Sequence, residues 1–296
     1  MKELGGIKEF PIFSLQIITL DMKKLLALMA VAAIAFGSCK KDDDNSSSNG
    51  GGGNAGLVVE KKNRALLIDF SETWCPPCGS YGGPGFDSCM SLEGGDLTLM
   101  KVYGSSTPSS MNSSVSNGMA SAYGVAGVPD FWLNSFEQNP GGGVYSSPAS
   151  NFNWVKAKAV AFAADSVIAG VAMAKTIVGD SMKIVSRVKF FKEQAAGIDY
   201  RLALYVVEEG IIATQQTSSG AVSNYEHNNL VRKCTASSYS GVQLNSSAPI
   251  AADQLFDSTY TVALNPAWDY DNLKVIGVIW KGGSTPFKVV NSNVLK

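Results

Sequence analysis

The chain has 296 residues with 24 basic and 25 acidic side chains, a formal net charge of −1. So even a balance, with no basic stripe and no interleaved aromatics, excludes nucleic acid as a partner. The only histidine, His227, excludes a multi-histidine metal centre, and neither metal nor cofactor is expected; the length leaves room for two domains.

Residues 1–21 precede a complete export signal and read as an extension upstream of a true start at Met22. Residues 22–38 form that signal: Met22-Lys23-Lys24 is a basic start, and Leu25 to Phe36 is an apolar run. The run is short of the ~20 residues that span a bilayer. Phe36-Gly37-Ser38-Cys39 resembles a bacterial lipobox, which implies a lipid on Cys39 and a membrane anchor. An ordinary cleaved signal with a chance cysteine is the other reading. Lys40-Lys41-Asp42-Asp43-Asp44 resembles the surface-export signal of Bacteroidetes lipoproteins, although simple solubility near a membrane also accounts for it. The expected place is therefore the outer membrane, on its surface or its periplasmic face. Residues 39–56 close with Asn45 to Asn54, which are Ser, Asn and Gly only. Such a stretch buries no core and reads as a flexible tether.

Strand material runs from Leu57 to Phe70, and Trp74-Cys75-Pro76-Pro77-Cys78 follows. Two cysteines separated by two residues, between a strand and a helix, can cycle between dithiol and disulfide. The N–H groups and partial charge of a helix start favour the thiolate. Pro76 and Pro77 carry no N–H, so the Cys75 sulfur can draw donors only from Cys78 onward. Gly79-Ser80-Tyr81-Gly82-Gly83-Pro84-Gly85 is poor helix sequence, and Pro84 should kink or interrupt it. Leu97–Tyr103 reads as a strand and Ser109–Tyr123 as a helix with Met111, Val115, Met119 and Ala122 at helical spacing. Asp130–Leu133 is a strand, and Ser150–Asp165 a closing helix with Trp154, Ala157, Ala161 and Ala164 on one side. This β-α-β-α-β order predicts a central sheet flanked by helices.

The run from Leu67 through Trp74-Cys75 and the segment Tyr123-Gly124-Val125-Ala126-Gly127-Val128-Pro129-Asp130 together resemble the thioredoxin superfamily, over Leu57 to Asp165. The resemblance implies a cis Val128–Pro129 bond. It also implies Cys75 as attacking thiolate, Cys78 as resolving thiol and Asp69 as the buried carboxylate that takes the Cys78 proton. Trp74, Val128 and Pro129 would dock the substrate.

Cys89 stands eleven residues after Cys78. Along a continuous helix that is ~16 Å, beyond the ~4.4–6.8 Å Cα separation of a disulfide. A buried free thiol is expected, with a Cys89–Cys234 bridge as the alternative.

From Ser166 the pattern changes. Val167–Lys175, Met182–Phe191, Tyr200–Glu208, Tyr260–Asn265, Leu273–Trp280 and Phe287–Leu295 read as short strands, and Ile211 to Thr259 mostly as long loops. Met182, Ile184, Ser186, Val188 and Phe190 alternate with Lys183, Arg187 and Lys189. Strands without intervening helices predict an antiparallel sandwich. The expected fold class is thus α/β plus all-β: a thioredoxin-like domain at 57–165, then a β-sandwich domain at 166–296. Loops of the length of 211–259 carry function or extra short strands. His227, between Asn224 and Asn229, reads as a surface or hydrogen-bonded structural residue, and Trp268 as a loop anchor packed on the sandwich.

A lipobox, a thioredoxin-like domain and an all-β domain, with Tyr225-Glu226-His227-Asn228-Asn229-Leu230-Val231-Arg232 in the second half, resemble the Omp-twenty-eight-related outer membrane proteins of Bacteroidetes. Two functional readings stay open. One is an anchored thiol-disulfide oxidoreductase acting on envelope or extracellular proteins. The other is a non-catalytic surface module whose β domain binds a partner and whose dithiol is a static disulfide.

Overall fold

Ala65 to Phe70 is a run of apolar residues around one carboxylate, and it folds as β1 (Ala65–Ser71), buried along its whole length. In the computed structural model, which describes residues 56–296 except 109, 141 and 142, this strand is the hub of the first half. It lies parallel to β2 (Leu97–Tyr103), with Asp69 beside Lys101. Between them a helical passage runs from a π-turn at Cys78–Gly82 through α1 (Gly83–Ser88) to a 3-10 turn at Cys89–Leu92. The π-turn has a local cause. Pro84 has no N–H to give to Ser80, and the Gly83 N–H bonds the Cys78 carbonyl five residues back.

Next come α2 (Ser116–Tyr123), β3 (Asp130–Leu133), β4 (Phe136–Glu137) and α3 (Pro148–Ala163). The expected helix at Ser109–Tyr123 is shorter at its start. The closing helix begins at Pro148, with the Ser147 hydroxyl accepting from the Ser150 N–H as its cap. The strand material expected from Leu57 becomes a strand only at Ala65.

The remaining strands are β5 (Ala169–Val178), β6 (Ser181–Phe190), β7 (Tyr200–Glu208), β8 (Ile211–Thr217), β9 (Gly220–His227), β10 (Leu230–Cys234), β11 (Val242–Gln243), β12 (Leu255–Ala263), β13 (Leu273–Lys281) and β14 (Lys288–Leu295). The alternation read at Met182 to Phe190 is realised, since all five of those side chains are fully buried. The stretch 211–259, expected mostly as loops, contains the β8–β9 hairpin, β10, β11 and the start of β12.

The fold is β-rich, but its sheets do not divide where the sequence suggested. One nine-stranded sheet runs β14-β13-β7-β10-β2-β1-β3-β4, with β11 added on β7. It takes strands from both sides of the expected boundary near Asp165–Ser166, and the described residues 56–296 belong to one compact unit. The expectation of two separate bodies is corrected by the core itself. On one face of the sheet, Leu66, Ile68, Phe70, Met100 and Val102 from β1 and β2 share a cluster with Tyr205, Val207, Ile276 and Trp280 from β7 and β13. On the other face, Leu204, Val206, Val275 and Ile279 pack against the three-stranded sheet β12-β6-β5. β7 and β13 are covered on both faces, which is why they read as near-continuous apolar runs. Trp268 packs against the edge of this second cluster as an anchor.

Candidate dithiol site

β1 ends at Ser71 and delivers Trp74-Cys75-Pro76-Pro77-Cys78 to the rim of the sheet. Cys75 and Cys78 form a disulfide with their Cα atoms 5.2 Å apart. Both are buried. The Cys78 backbone N–H lies 3.2 Å from the Cys75 sulfur, and it is the first donor the chain can offer after its two prolines. The Cys75 sulfur is also 3.4 Å from the Val128 carbonyl oxygen. The Val128–Pro129 bond is cis. Gly82 makes this approach feasible, since a Cβ there would stand 2.7 Å from the Pro129 Cβ. The structure thus brings Cys75, Cys78, Val128 and Pro129 together. A groove of about 380 Å³ opens beside them, lined by Pro77, Tyr81, Val128, Pro129 and Asp130 among others.

Trp74 sits on the opposite flank, 54% exposed, and its indole N–H donates to the Ser106 hydroxyl at 3.1 Å. The lipid-bearing residue expected at Cys39 lies outside the described residues.

Asp69 is fully buried, with its Oδ2 3.6 Å from the Lys101 Nζ. At that separation the two form an ion pair rather than a tight hydrogen bond. Burial pushes the Asp69 carboxyl up to about 7; Lys101 pulls it down, and the neighbouring Asp87 adds to the rise. The Lys101 ammonium also lies over the Phe86 ring, 4.7 Å from its centre. Asp130, next to the cis-proline, is pushed up to about 6 by burial, although the Trp132 indole N–H donates to it and Glu137 adds repulsion.

Cys89 and Cys234 are both free and buried. Burial raises the first to about 12 and the second to about 11, so both stay as inert thiols. The alternative bridge between them is not formed.

The part of the site that sequence reasoning missed comes from the β8–β9 hairpin. Gln215 and His227 are its buried polar side chains. Gln215 donates to the carbonyls of Glu72 and Cys75, each at 3.1 Å. His227 is held by Tyr103, whose hydroxyl lies 2.6 Å from the imidazole Nδ1. Burial, and after it the Lys101 charge, lowers the His227 imidazole to about 4, so it is neutral at ordinary pH. The expected hydrogen-bonded structural role holds for His227, but it ends a strand and is buried rather than exposed. The available signal was the length of the supposed loop.

Residues 116–296 match the model of the family described as outer membrane protein Omp28. The chain belongs to the Omp28 family. That membership assigns it to the outer membrane. The match includes Val128, Pro129 and the hairpin but begins after Cys75–Cys78. Among solved structures, HBP35 of Porphyromonas gingivalis is similar with a TM-score of 0.61 at 18% identity, covering 80% of this chain and 76% of that one. This likeness is one of fold. A domain of the outer membrane lipoprotein Omp28 from Porphyromonas gingivalis aligns over 44% of this chain and 88% of its own, at 10% identity and a TM-score of 0.27. No curated protein matches the chain.

Proposed function

We propose that this Omp28-family protein exchanges thiols and disulfides with envelope or extracellular proteins, from a lipid-anchored position on the outer membrane. In this reading, residues 57–165 supply a thioredoxin-like arrangement: β1 parallel to β2, β3 antiparallel on the other side, and a dithiol facing a cis-proline. The observation that carries it is the Cys75 sulfur, set between the Cys78 N–H at 3.2 Å and the Val128 carbonyl at 3.4 Å, beside an open groove.

The chemistry balances as two exchanges. The reduced Cys75 thiolate attacks a partner disulfide, forming a mixed disulfide and releasing one partner thiolate. Cys78 then gives its proton to Asp69 and attacks the Cys75 sulfur, which releases the second partner thiolate. Two electrons pass to the partner, and the Cys75–Cys78 disulfide remains. A dithiol partner drives the same steps backwards, and the relative potentials set the direction. A carboxyl near pH 7 in its titration suits a group that must both take and return a proton.

Reduced protein is expected to reduce insulin disulfides in a turbidity assay, and Cys75→Ser is expected to abolish this. Retention of the full rate by Cys75→Ser would sink the reading. One observation favours a static disulfide instead: Cys75 is only 2% exposed. A wild-type protein that stays oxidised in strong native reductant would decide for that second reading.

The anchor has its own test. Cys39→Ala is expected to move the protein from the membrane to the soluble fraction, or to trap its precursor, because stable anchoring needs more than one acyl chain. A membrane-bound variant with a normally processed N-terminus would overturn the assignment.

A further inference from the structure

The Cys75–Cys78 turn is gripped from outside its own half of the chain. β8 runs alongside the loop before Cys75. The Gln216 N–H donates to the Thr73 carbonyl at 2.8 Å. The Gln215 side-chain amide, 2% exposed, donates to the Glu72 and Cys75 carbonyls at 3.1 Å and to the Gln216 carbonyl at 3.0 Å. At the hairpin tip, the Ser80 hydroxyl donates to Ser218 Oγ at 2.9 Å and accepts from the Ser218 N–H at 2.7 Å. On β9, the Tyr225 hydroxyl lies where a side chain on Gly83 would begin, 2.2 Å from an added Cβ. Gly79 is likewise required, since its Cβ would meet the Gln216 carbonyl oxygen at 2.2 Å. Gly79 and Gly83, two of the glycines that make 79–83 poor helix sequence, are therefore the seat of the hairpin.

We propose that the β8–β9 hairpin is a built-in clamp on the dithiol and that Gln215 is its positioning residue, holding the Cys75 backbone so that its sulfur meets the Cys78 N–H. The Cys75 carbonyl takes donors from both Gly79 N–H, at 3.3 Å, and Gln215. Those bonds fix both ends of a turn whose prolines supply no N–H. With Cys75 so fixed, its thiolate keeps the one backbone donor available to it. Loosening the loop removes that donor from part of the population, and a thiolate without a donor reverts to thiol. The clamp borders the Trp74 flank, where Ala213, Thr214 and Gln216 line a second groove with Trp74. This deepens the proposed function by naming what tunes its nucleophile.

The test uses the full chain in its reduced form. Iodoacetamide labelling of the Cys75 peptide, followed by mass spectrometry across pH, gives the thiolate profile; equilibration with glutathione buffers gives the Cys75–Cys78 potential. Gln215→Ala and the near-isosteric Gln215→Glu are expected to shift the profile upward in pH. They should slow labelling at pH 7 roughly three- to tenfold, the Glu variant more, because its carboxylate faces carbonyls. Gly79→Ala should move the profile the same way by lifting the hairpin from below. Ile212→Thr, on the same strand but 61% exposed, should leave it in place. Profiles and potentials of both Gln215 variants that superimpose on the wild type, with unchanged circular dichroism, would overturn the clamp. These probes are small thiol reagents, so inactivity towards protein disulfides would sink the proposed function while leaving this measurement decisive.

Discussion

Expressed without the rest of the chain, residues 57–165 are expected to emerge insoluble or without a cooperative melt, although the sequence alone marks them as a domain. Removing 166–296 strips Ala203, Tyr205, Val207, Ile276, Val278 and Trp280 from the cluster that buries Leu66, Ile68 and Phe70. At ~1.5–3 kcal/mol for each large apolar side chain, the loss matches the ~5–15 kcal/mol total stability of a typical domain. Polar partners go as well. Lys274, buried, meets Glu93 Oε2 at 2.6 Å and also pairs with Glu209. Separation leaves Glu93 with neither Lys274 nor Lys296 as a partner. Asn291 accepts from the Arg64 N–H at 2.8 Å and donates to the Lys62 carbonyl at 2.8 Å, which ties β14 to the approach of β1. Circular dichroism and thermal unfolding of the isolated fragment check this. A sharp melt with native-like spectra would show that the first half carries its own core.

The dithiol, its cis-proline and the strands on either side were legible because each leaves a local mark. Cys-Pro-Pro-Cys follows an apolar run, Val-Pro follows glycines, and Met182 to Phe190 alternates plainly. What was not legible depends on long-range pairing. β2 meets β10 through a single register pair, Leu230 with Lys101, plus the Lys101 N–H to the Asn229 carbonyl at 2.8 Å. No periodicity within either segment announces that junction, yet it fuses the two expected domains into one sheet. β8 was hidden for a different reason. Ile211 to Thr217 presents alternate residues to solvent, and its fully buried position is a glutamine rather than an apolar residue. Strand reading by apolar alternation fails where the buried side chain is there to hydrogen-bond backbone carbonyls. The glycines at 79, 82 and 83 were read correctly as helix-weakening, but their purpose lies in what approaches them from the hairpin and from Pro129.

Replacing Asp69 with asparagine is expected to change how stability depends on pH. The Asp69 carboxyl rises from 3.8 to about 7 on folding, chiefly through burial. Between those values the folded state holds a proton that the unfolded state has released. Its contribution is therefore fully present below pH 3.8 and is lost as pH rises towards 7. At about 1.36 kcal/mol per unit, the loss is at most about 4 kcal/mol. Asp130, raised to about 6, adds a fall of the same sign. His227 opposes both. Its imidazole drops from 6.5 to about 4, so the unfolded state binds the extra proton and stability rises with pH across that window. The wild type should thus show a muted net dependence. Asp69→Asn should lose the falling component and gain stability relative to wild type from pH 4 to about pH 7, then level off towards pH 8. The cost of leaving Lys101 beside a neutral amide is a constant offset between variant and wild type, so it drops out of the change in their difference with pH. Urea denaturation of the oxidised proteins at pH 4, 5.5, 7 and 8 reads the difference directly. A difference that stays flat over this range would mean that Asp69 is ionised throughout, and that it holds no proton at neutral pH to return to Cys78.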